Sequence, residues 1–276
     1  MNDSTTLNLI RKYLKAGVME KGLEEATRTG VPQGGPLSVI LSNVYLDKLD
    51  KELEQRGLRF TRYADDTMIF TKSEMAANRV MKSITDWIER KLFLKVNATK
   101  TKVVRPTRSK YLGITFLKNG GESKVKPTAE KKKKLKQKLS ECLKRNKAVA
   151  RPLAETIKRV NEIVRGWINY FRIGMMKQFM EEFGAWLRHK IRVIVIKQWK
   201  TPKTIYRNLS YLNQKNKNGF DHEAIYKVAN TRLGWYRQSG MNVVNFIISP
   251  DMLENKIKDG AGLLNPLNYY LRNVGI

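Results

Sequence analysis

The chain has 276 residues, with 54 Lys and Arg against 25 Asp and Glu, and a formal net charge of +29. This excess argues against an ordinary enzyme for small neutral substrates, because such self-repulsion needs an anionic partner, of which nucleic acid is the best candidate. Cys142 is the single cysteine, which excludes an internal disulfide and a thiolate zinc site. Because no apolar run approaches transmembrane length, we expect a cytoplasmic protein and no membrane partner.

The first half of the chain mixes helical and strand patterns. Apolar spacing predicts helices near 7–18, 37–49 and 77–92, and Gly57 is expected to end the second of them. Short strands are predicted at 59–63 and 67–71, on either side of a turn, and again at 93–96 and 111–116. This order is typical of an α+β fold with an antiparallel sheet.

The composition changes near Pro127, where a lysine-rich helix is predicted to begin. Its apolar stripe is Leu135, Leu139 and Leu143. Two longer helices are predicted around Val164 and Phe183, which makes this half a helical domain. Beyond Pro202 the pattern is mixed and polar, and it assigns no architecture.

The sharpest chemical signal is the run Tyr63, Ala64, Asp65 and Asp66 in the predicted strand–turn–strand. Two adjacent carboxylates repel each other, and a divalent metal relieves that repulsion. Mg²⁺ prefers carboxylate oxygen together with substrate phosphate, and a pair of such ions suits phosphoryl transfer. A solvated hairpin turn is the plainer interpretation of the same residues.

Further motifs lie on either side of this hairpin. Upstream, a glycine-rich loop contains Gly34, where the backbone can approach a ligand closely, and Gln33, which can offer amide donors and acceptors to a nucleotide or template strand. A Pro/Gly loop that caps a helix is the plainer interpretation. Downstream, Lys100 can contact a triphosphate as a point charge, although a surface lysine is an equal alternative. A Leu112–Gly113 pair follows within the strand predicted at 111–116.

These four blocks, in this order and spacing, resemble the palm of reverse transcriptases of the bacterial group II intron branch. The run from Arg165 to Arg172 resembles the signature of the intron maturase domain, which includes the thumb. The resemblance implies a partial palm at 1–126, a helical thumb and maturase domain at 127–200, and its C-terminal continuation at 201–276.

The resemblance also implies roles for individual residues. Asp65 and Asp66 match the carboxylates that bind two catalytic Mg²⁺ ions. Nucleotide contacts are implied for Gln33, Gly34, Tyr63 and Lys100, and primer contacts for Leu112 and Gly113. The implied function is an intron-encoded protein that binds intron RNA and assists splicing, of the RNA-directed DNA polymerase class. Its further partners would be an RNA/DNA template–primer and deoxynucleotides.

RNA contacts are expected from basic side chains of the second half, while Trp167 is expected to pack in the core. The expected RNA-binding residues are Lys131, Lys132, Lys133, Lys134, Arg165 and Arg172.

The chain departs from the family pattern at its front. Family members carry fingers and an earlier palm strand with another metal-binding Asp, and Met1 lies just past that strand. We therefore expect an incomplete metal site, which a separate N-terminal fragment would complete. Asp3 lies in a polar lead-in and not in a strand, and Asp47 and Asp50 are interpreted as solvated surface residues, so all three are placed outside the site. The alternatives are a non-catalytic RNA-binding maturase fragment and a retron-type or defence-type reverse transcriptase.

Overall fold

A computed structural model describes residues 3–20, 23–25, 37–255 and 262–274. The chain divides into two compact units, Met1–Arg105 and Pro106–Ile276. Helices dominate both units, and the described strands form small antiparallel hairpins, which confirms the α+β class. Among the described residues, no helix is long and apolar enough to cross a membrane.

Within its described residues, the first unit has three helices and two hairpins. Helix α1 (Ser4–Lys15) precedes the β1 (Val18–Glu20) and β2 (Leu23–Glu25) hairpin. Helix α2 (Ser38–Gln55), strands β3 (Arg59–Tyr63) and β4 (Asp66–Phe70), and helix α3 (Glu74–Lys91) follow in that order. Asp3 accepts a hydrogen bond from the Thr5 amide and is therefore the N-cap of α1.

A small core joins α2, α3 and the β3–β4 hairpin. Leu49 and Leu53 of α2 pack with Ile84 of α3. Val44 of the same helix is exposed. The predicted end of α2 is confirmed, because Gly57 follows the helix with a φ of +66°.

The strand predicted at 93–96 is wrong. This segment is irregular, and Phe93 is exposed with a φ of 53°. A strand needs partners for its backbone N–H and C=O groups, and no described strand pairs with this segment. Apolar alternation alone does not show whether a neighbouring strand is present to pair with this segment.

The second unit begins with a short 3₁₀ turn (Pro106–Arg108) and the hairpin of β5 (Ile114–Asn119) and β6 (Glu122–Pro127). In the part of this unit that the structure describes, ten helices follow: α4 (Ala129–Cys142), α5 (Arg145–Ala148), α6 (Leu153–Phe171), α7 (Lys177–Trp199), α8 (Pro202–Lys215), α9 (His222–Ala229), α10 (Gly234–Ser239), α11 (Asn242–Ile247), α12 (Pro250–Glu254) and α13 (Pro266–Val274). The domain limits drawn from the sequence remain predictions.

One large core holds these helices together. The predicted stripe of α4 is confirmed, because Leu135, Leu139 and Leu143 are all buried. Helices α6 and α7 contribute the centre, where Val164 and Phe183 are fully covered. This continuous burial makes α6 and α7 a firm base for the side chains on their outer faces.

Specific hydrogen bonds hold the C-terminal segment against α6 and against the connection between α6 and α7. The buried side chain of Asn161 in α6 donates to the Gly262 carbonyl and accepts from the Leu264 amide, each at 2.9 Å. The Tyr270 hydroxyl in α13 donates to the Gly174 carbonyl at 2.9 Å. Sequence periodicity assigned nothing to this region, because its helices are short and their packing depends on distant partners.

Candidate catalytic hairpin and nucleic-acid interface

The two candidate catalytic carboxylates lie at the tip of the β3–β4 hairpin. Tyr63 and Asp66 form its last cross-strand pair, with Ala64 and Asp65 between them. Ala64 has a φ of 54°, in the left-handed region that a residue with a Cβ rarely adopts. The tight turn therefore carries a local conformational cost that its surroundings must offset.

Arg62 supplies contacts that hold this turn. Its side chain is only 11% exposed, and its guanidinium donates to the Ala64 carbonyl at 2.9 Å. The same group donates to the Asp50 carboxylate of α2, with one contact at 2.7 Å, and to the Asn43 side chain at 3.0 Å. Asp50 was interpreted as a solvated surface residue, and that interpretation is wrong, because α2 and the turn share Arg62.

The carboxylates of Asp65 and Asp66 are exposed at this tip. Hard carboxylate oxygens are the donors that Mg²⁺ prefers, and two of them fill part of its octahedral shell. Within the described ranges, no group of three or more His, Cys, Asp or Glu side chains is gathered as a metal site. The residues at the tip therefore fit Mg²⁺ only together with other oxygen donors, such as water and substrate phosphate.

Of the residues predicted to contact a nucleotide, only some lie in the described part of the chain. Tyr63 is 66% exposed and lies beside Asp66 on one face of the hairpin, so these two residues are brought together. Lys100 is exposed in a turn, where its amide donates to the Asn97 side chain at 3.1 Å. Gln33 and Gly34 lie outside the described residues.

The Leu112–Gly113 pair forms a tight turn in the second unit, which corrects the predicted strand. Both residues have positive φ, 50° and 83°, and β5 begins only at Ile114. The Tyr170 hydroxyl of α6 donates to the Leu112 carbonyl at 3.1 Å. At Gly113, an added Cβ would lie 2.6 Å from the Lys131 side chain, so glycine allows that close approach. The pattern of alternating apolar residues concealed this turn.

The four lysines at the start of α4 are not equivalent. Lys131 and Lys132 are half-buried, whereas Lys133 and Lys134 are exposed. The aliphatic part of Lys131 packs against Gly113. Burial is the main cause that lowers the pKa of Lys132, and the nearby ammonium groups of Lys126 and Lys136 lower it further. Lys132 and its neighbours therefore form a concentration of positive charge on a partly desolvated surface.

An open groove of about 860 Å³ runs along this surface between α4 and α7. Lys132 and Lys136 of α4 line one side, and Phe179 and Trp186 of α7 line the other. The Lys132 ammonium lies 4.7 Å from the centroid of the Phe179 ring, and the Lys136 ammonium lies 5.8 Å from that of Trp186. Charge and aromatic surface are thus combined in one groove, a combination that suits nucleic acid.

Arg165 of α6 and Arg172, the residue that follows this helix, are both exposed. At 3.6 residues per turn, positions 165 and 167 lie about 160° apart around the helix. Trp167 faces Phe171 and Phe179, with ring centroids 4.6 and 5.6 Å away. Trp167 is half-buried and packs against the main core, in agreement with the expectation that it packs in the core.

Comparison with known proteins identifies both halves of the chain. Residues 2–116 match the family described as reverse transcriptase (RNA-dependent DNA polymerase). Residues 132–212 match the group II intron, maturase-specific domain. The chain belongs to the group II intron reverse transcriptase and maturase family.

Relatives of this family align over short segments. The chain is 44% identical to group II intron-encoded protein LtrA of Lactococcus lactis subsp. cremoris over 62 residues, which are 22% of this chain and 10% of LtrA. It is 28% identical to protein YkfC of Escherichia coli, covering 37% of this chain and 36% of YkfC. The putative COX1/OXI3 intron 2 protein of Saccharomyces cerevisiae is 42% identical over 20% of this chain and 7% of its own length. The chain thus covers far less than two thirds of the length of each relative.

Two sets of functional candidates in this family member were missed from sequence. Arg62 occupies an inward position of β3, where a charged residue between Thr61 and Tyr63 needs a buried partner. That position was a usable signal for an ion pair. Phe179 and Trp186 received no functional role from the sequence, because nothing in the helical period distinguishes a core ring from one that lines a groove.

Proposed function

We propose that this chain binds group II intron RNA and assists its splicing. The observation that carries the proposal is the basic, aromatic-lined surface of α4 and α7, which lies largely within the segment matched by the maturase-specific domain. The net charge of +29 supports an anionic partner of large size. This partner and the bacterial relatives support a location in the bacterial cytoplasm.

The β3–β4 hairpin supports a second activity, RNA-directed DNA synthesis on a template–primer with deoxynucleotides. In this reaction the primer 3′-hydroxyl attacks the α-phosphate of a deoxynucleotide, and pyrophosphate leaves. Asp65 and Asp66 would hold Mg²⁺, and a pair of such ions would supply activation of the attacking oxygen and stabilisation of the leaving one. Arg62 would keep the turn in the conformation that presents both carboxylates on the same tip.

The match over residues 132–212 favours this reading over a retron-type or defence-type reverse transcriptase. A non-catalytic maturase remains the alternative. The two activities make different demands on the chain, since only DNA synthesis needs the carboxylates of Asp65 and Asp66.

A splicing assay tests the proposal. The intron that encodes the chain is transcribed and incubated at a Mg²⁺ concentration too low for self-splicing. We expect added protein to produce ligated exons, and we expect a variant with Asp65→Asn and Asp66→Asn to do so equally well. The same variant should abolish any primer extension, measured with and without a supplied N-terminal fragment. Failure of the wild-type protein to promote splicing would contradict the proposed function.

A further inference from the structure

Lysine side chains and aromatic rings alternate along one face of the second unit. We call this arrangement the lysine–aromatic row, and it comprises Lys132, Phe179, Lys136, Trp186, Lys190 and Tyr236. Lys136 contacts both Phe179 and Trp186, with its ammonium 5.9 and 5.8 Å from their ring centroids. Lys190 likewise contacts both Trp186 and Tyr236, at 5.9 and 5.3 Å. Each of these lysines therefore joins two successive rings.

The lysine–aromatic row extends from the groove at Phe179 to the more exposed ring of Tyr236. Phe179 is 9% exposed and forms the groove floor, where its ring stacks on Phe183 with a centroid distance of 5.6 Å. Trp186 is half-buried, and Tyr236 of α10 is 51% exposed. The Tyr236 ring is supported from behind by His189, with centroids 4.3 Å apart. The accessible ring surface thus increases from Phe179 toward Tyr236.

The charges along the row are poorly compensated within the protein. None of the ion pairs between described residues involves Lys132, Lys136 or Lys190. Glu182 raises the pKa of Lys132, but burial and two neighbouring ammonium groups outweigh it. Glu141 also lines the groove. Positive charge that exceeds the negative charge around it favours binding of an external polyanion.

We propose that the lysine–aromatic row binds an unpaired segment of RNA. Bases stack on Trp186 and Tyr236, and backbone phosphates bind Lys132, Lys136 and Lys190. A duplex does not fit this chemistry, because its base faces are already stacked on one another, whereas an unpaired base offers a free face to an aromatic ring. Lys132 and Lys136 are one helical turn apart, about 6 Å along α4, so they contact successive points of an extended strand. This inference rests on the proposed RNA-binding function.

The first test measures stacking. The probe is a fluorescein-labelled oligouridylate of about 12 nucleotides, compared with an abasic strand of equal length and charge. We expect Tyr236→Leu and Trp186→Leu each to weaken binding of the oligouridylate by roughly 5- to 150-fold, whereas Trp186→Phe retains most of the affinity. The abasic strand should bind weakly to the wild-type protein and lose little further in the Leu variants. Equal binding of the two strands by the wild-type protein would overturn the proposal.

The second test measures charge. For a single strand, each lost phosphate contact reduces the slope of log affinity against log salt by about 0.7. Lys136→Gln with Lys190→Gln should therefore reduce the slope by about 1.4. The matched control removes two exposed lysines elsewhere, Lys158→Gln with Lys215→Gln, and should leave the slope close to that of the wild type. Equal slopes for both double variants would overturn the assignment of phosphates to the row.

Further outcomes separate this inference from the proposed function. Circular dichroism and thermal melting identify any variant that fails to fold, and Tyr236→Leu, at an exposed position, keeps the test available if Trp186→Leu unfolds. Tighter binding of the corresponding DNA strand would overturn the assignment to RNA. If the wild-type protein does not bind intron RNA, the proposed function fails. If it binds intron RNA and the oligouridylate, and the row variants bind both equally well, only the row is refuted.

Discussion

Removing the Arg62 guanidinium should destabilise the hairpin that carries Asp65 and Asp66, because a partly buried carboxylate loses its charged donor. The Arg62→Met variant leaves the Asp50 carboxylate, only 26% exposed, without its charged donor and frees the Ala64 carbonyl. Loss of one partner from a fully buried ion pair costs about 3–5 kcal/mol. Because water reaches part of Asp50, we expect a smaller loss, about 2–3 kcal/mol in the local stability of β3 and β4.

Hydrogen exchange measures this loss directly. A loss of that size should accelerate exchange of protected β3 and β4 amides roughly 30- to 150-fold. The matched control lies on α2, the helix that carries Asp50. There Lys51 and Asp47 form an ion pair, and both side chains are more than half exposed. Lys51→Met should cost less than about 1 kcal/mol. If Arg62→Met exchanges at wild-type rates, or if the two substitutions have equal effects, Arg62 does not stabilise the hairpin in this way.

Three side chains of the second unit should contribute measurably to its stability. Arg192→Met should lower stability by about 2–3 kcal/mol in thermal melting, because the guanidinium, whose pKa burial lowers to about 10, donates to the Ile248 and Asn245 carbonyls. Trp167→Ala should cost about 2–4 kcal/mol, since the indole is half-buried, and unchanged melting with lost RNA binding would indicate stacking instead. Burial lowers the pKa of His189, so the unfolded chain binds its proton first and stability should fall as pH drops below about 6.5. His189→Leu should flatten that part of the melting profile, and an identical pH dependence would contradict the assignment.

Sequence periodicity predicted the elements whose signals are local. Helix α4 and its stripe of Leu135, Leu139 and Leu143 followed from apolar spacing, and the hairpin around Asp65 followed from two short strands that flank a turn. These features depend on residues that are close in the chain. Patterns of this kind need no knowledge of distant contacts.

The errors concern features that depend on distant partners. Asp50 looked solvated because its partner Arg62 belongs to another element. The Leu112–Gly113 turn looked like a strand because the contacts that hold it come from Tyr170 of α6 and Lys131 of α4. Tertiary contacts override local alternation in such places.

The central claim is that the chain recognises group II intron RNA through a charged and aromatic surface. Competition binding tests it most directly, with the encoding intron RNA and a structured RNA of equal length as competitors over a range of salt concentrations. We predict at least about tenfold tighter binding of the intron RNA, equivalent to about 1.4 kcal/mol, together with a steep fall of log affinity with log salt. Equal affinity for the two RNAs, or an affinity that does not change with salt, would contradict it.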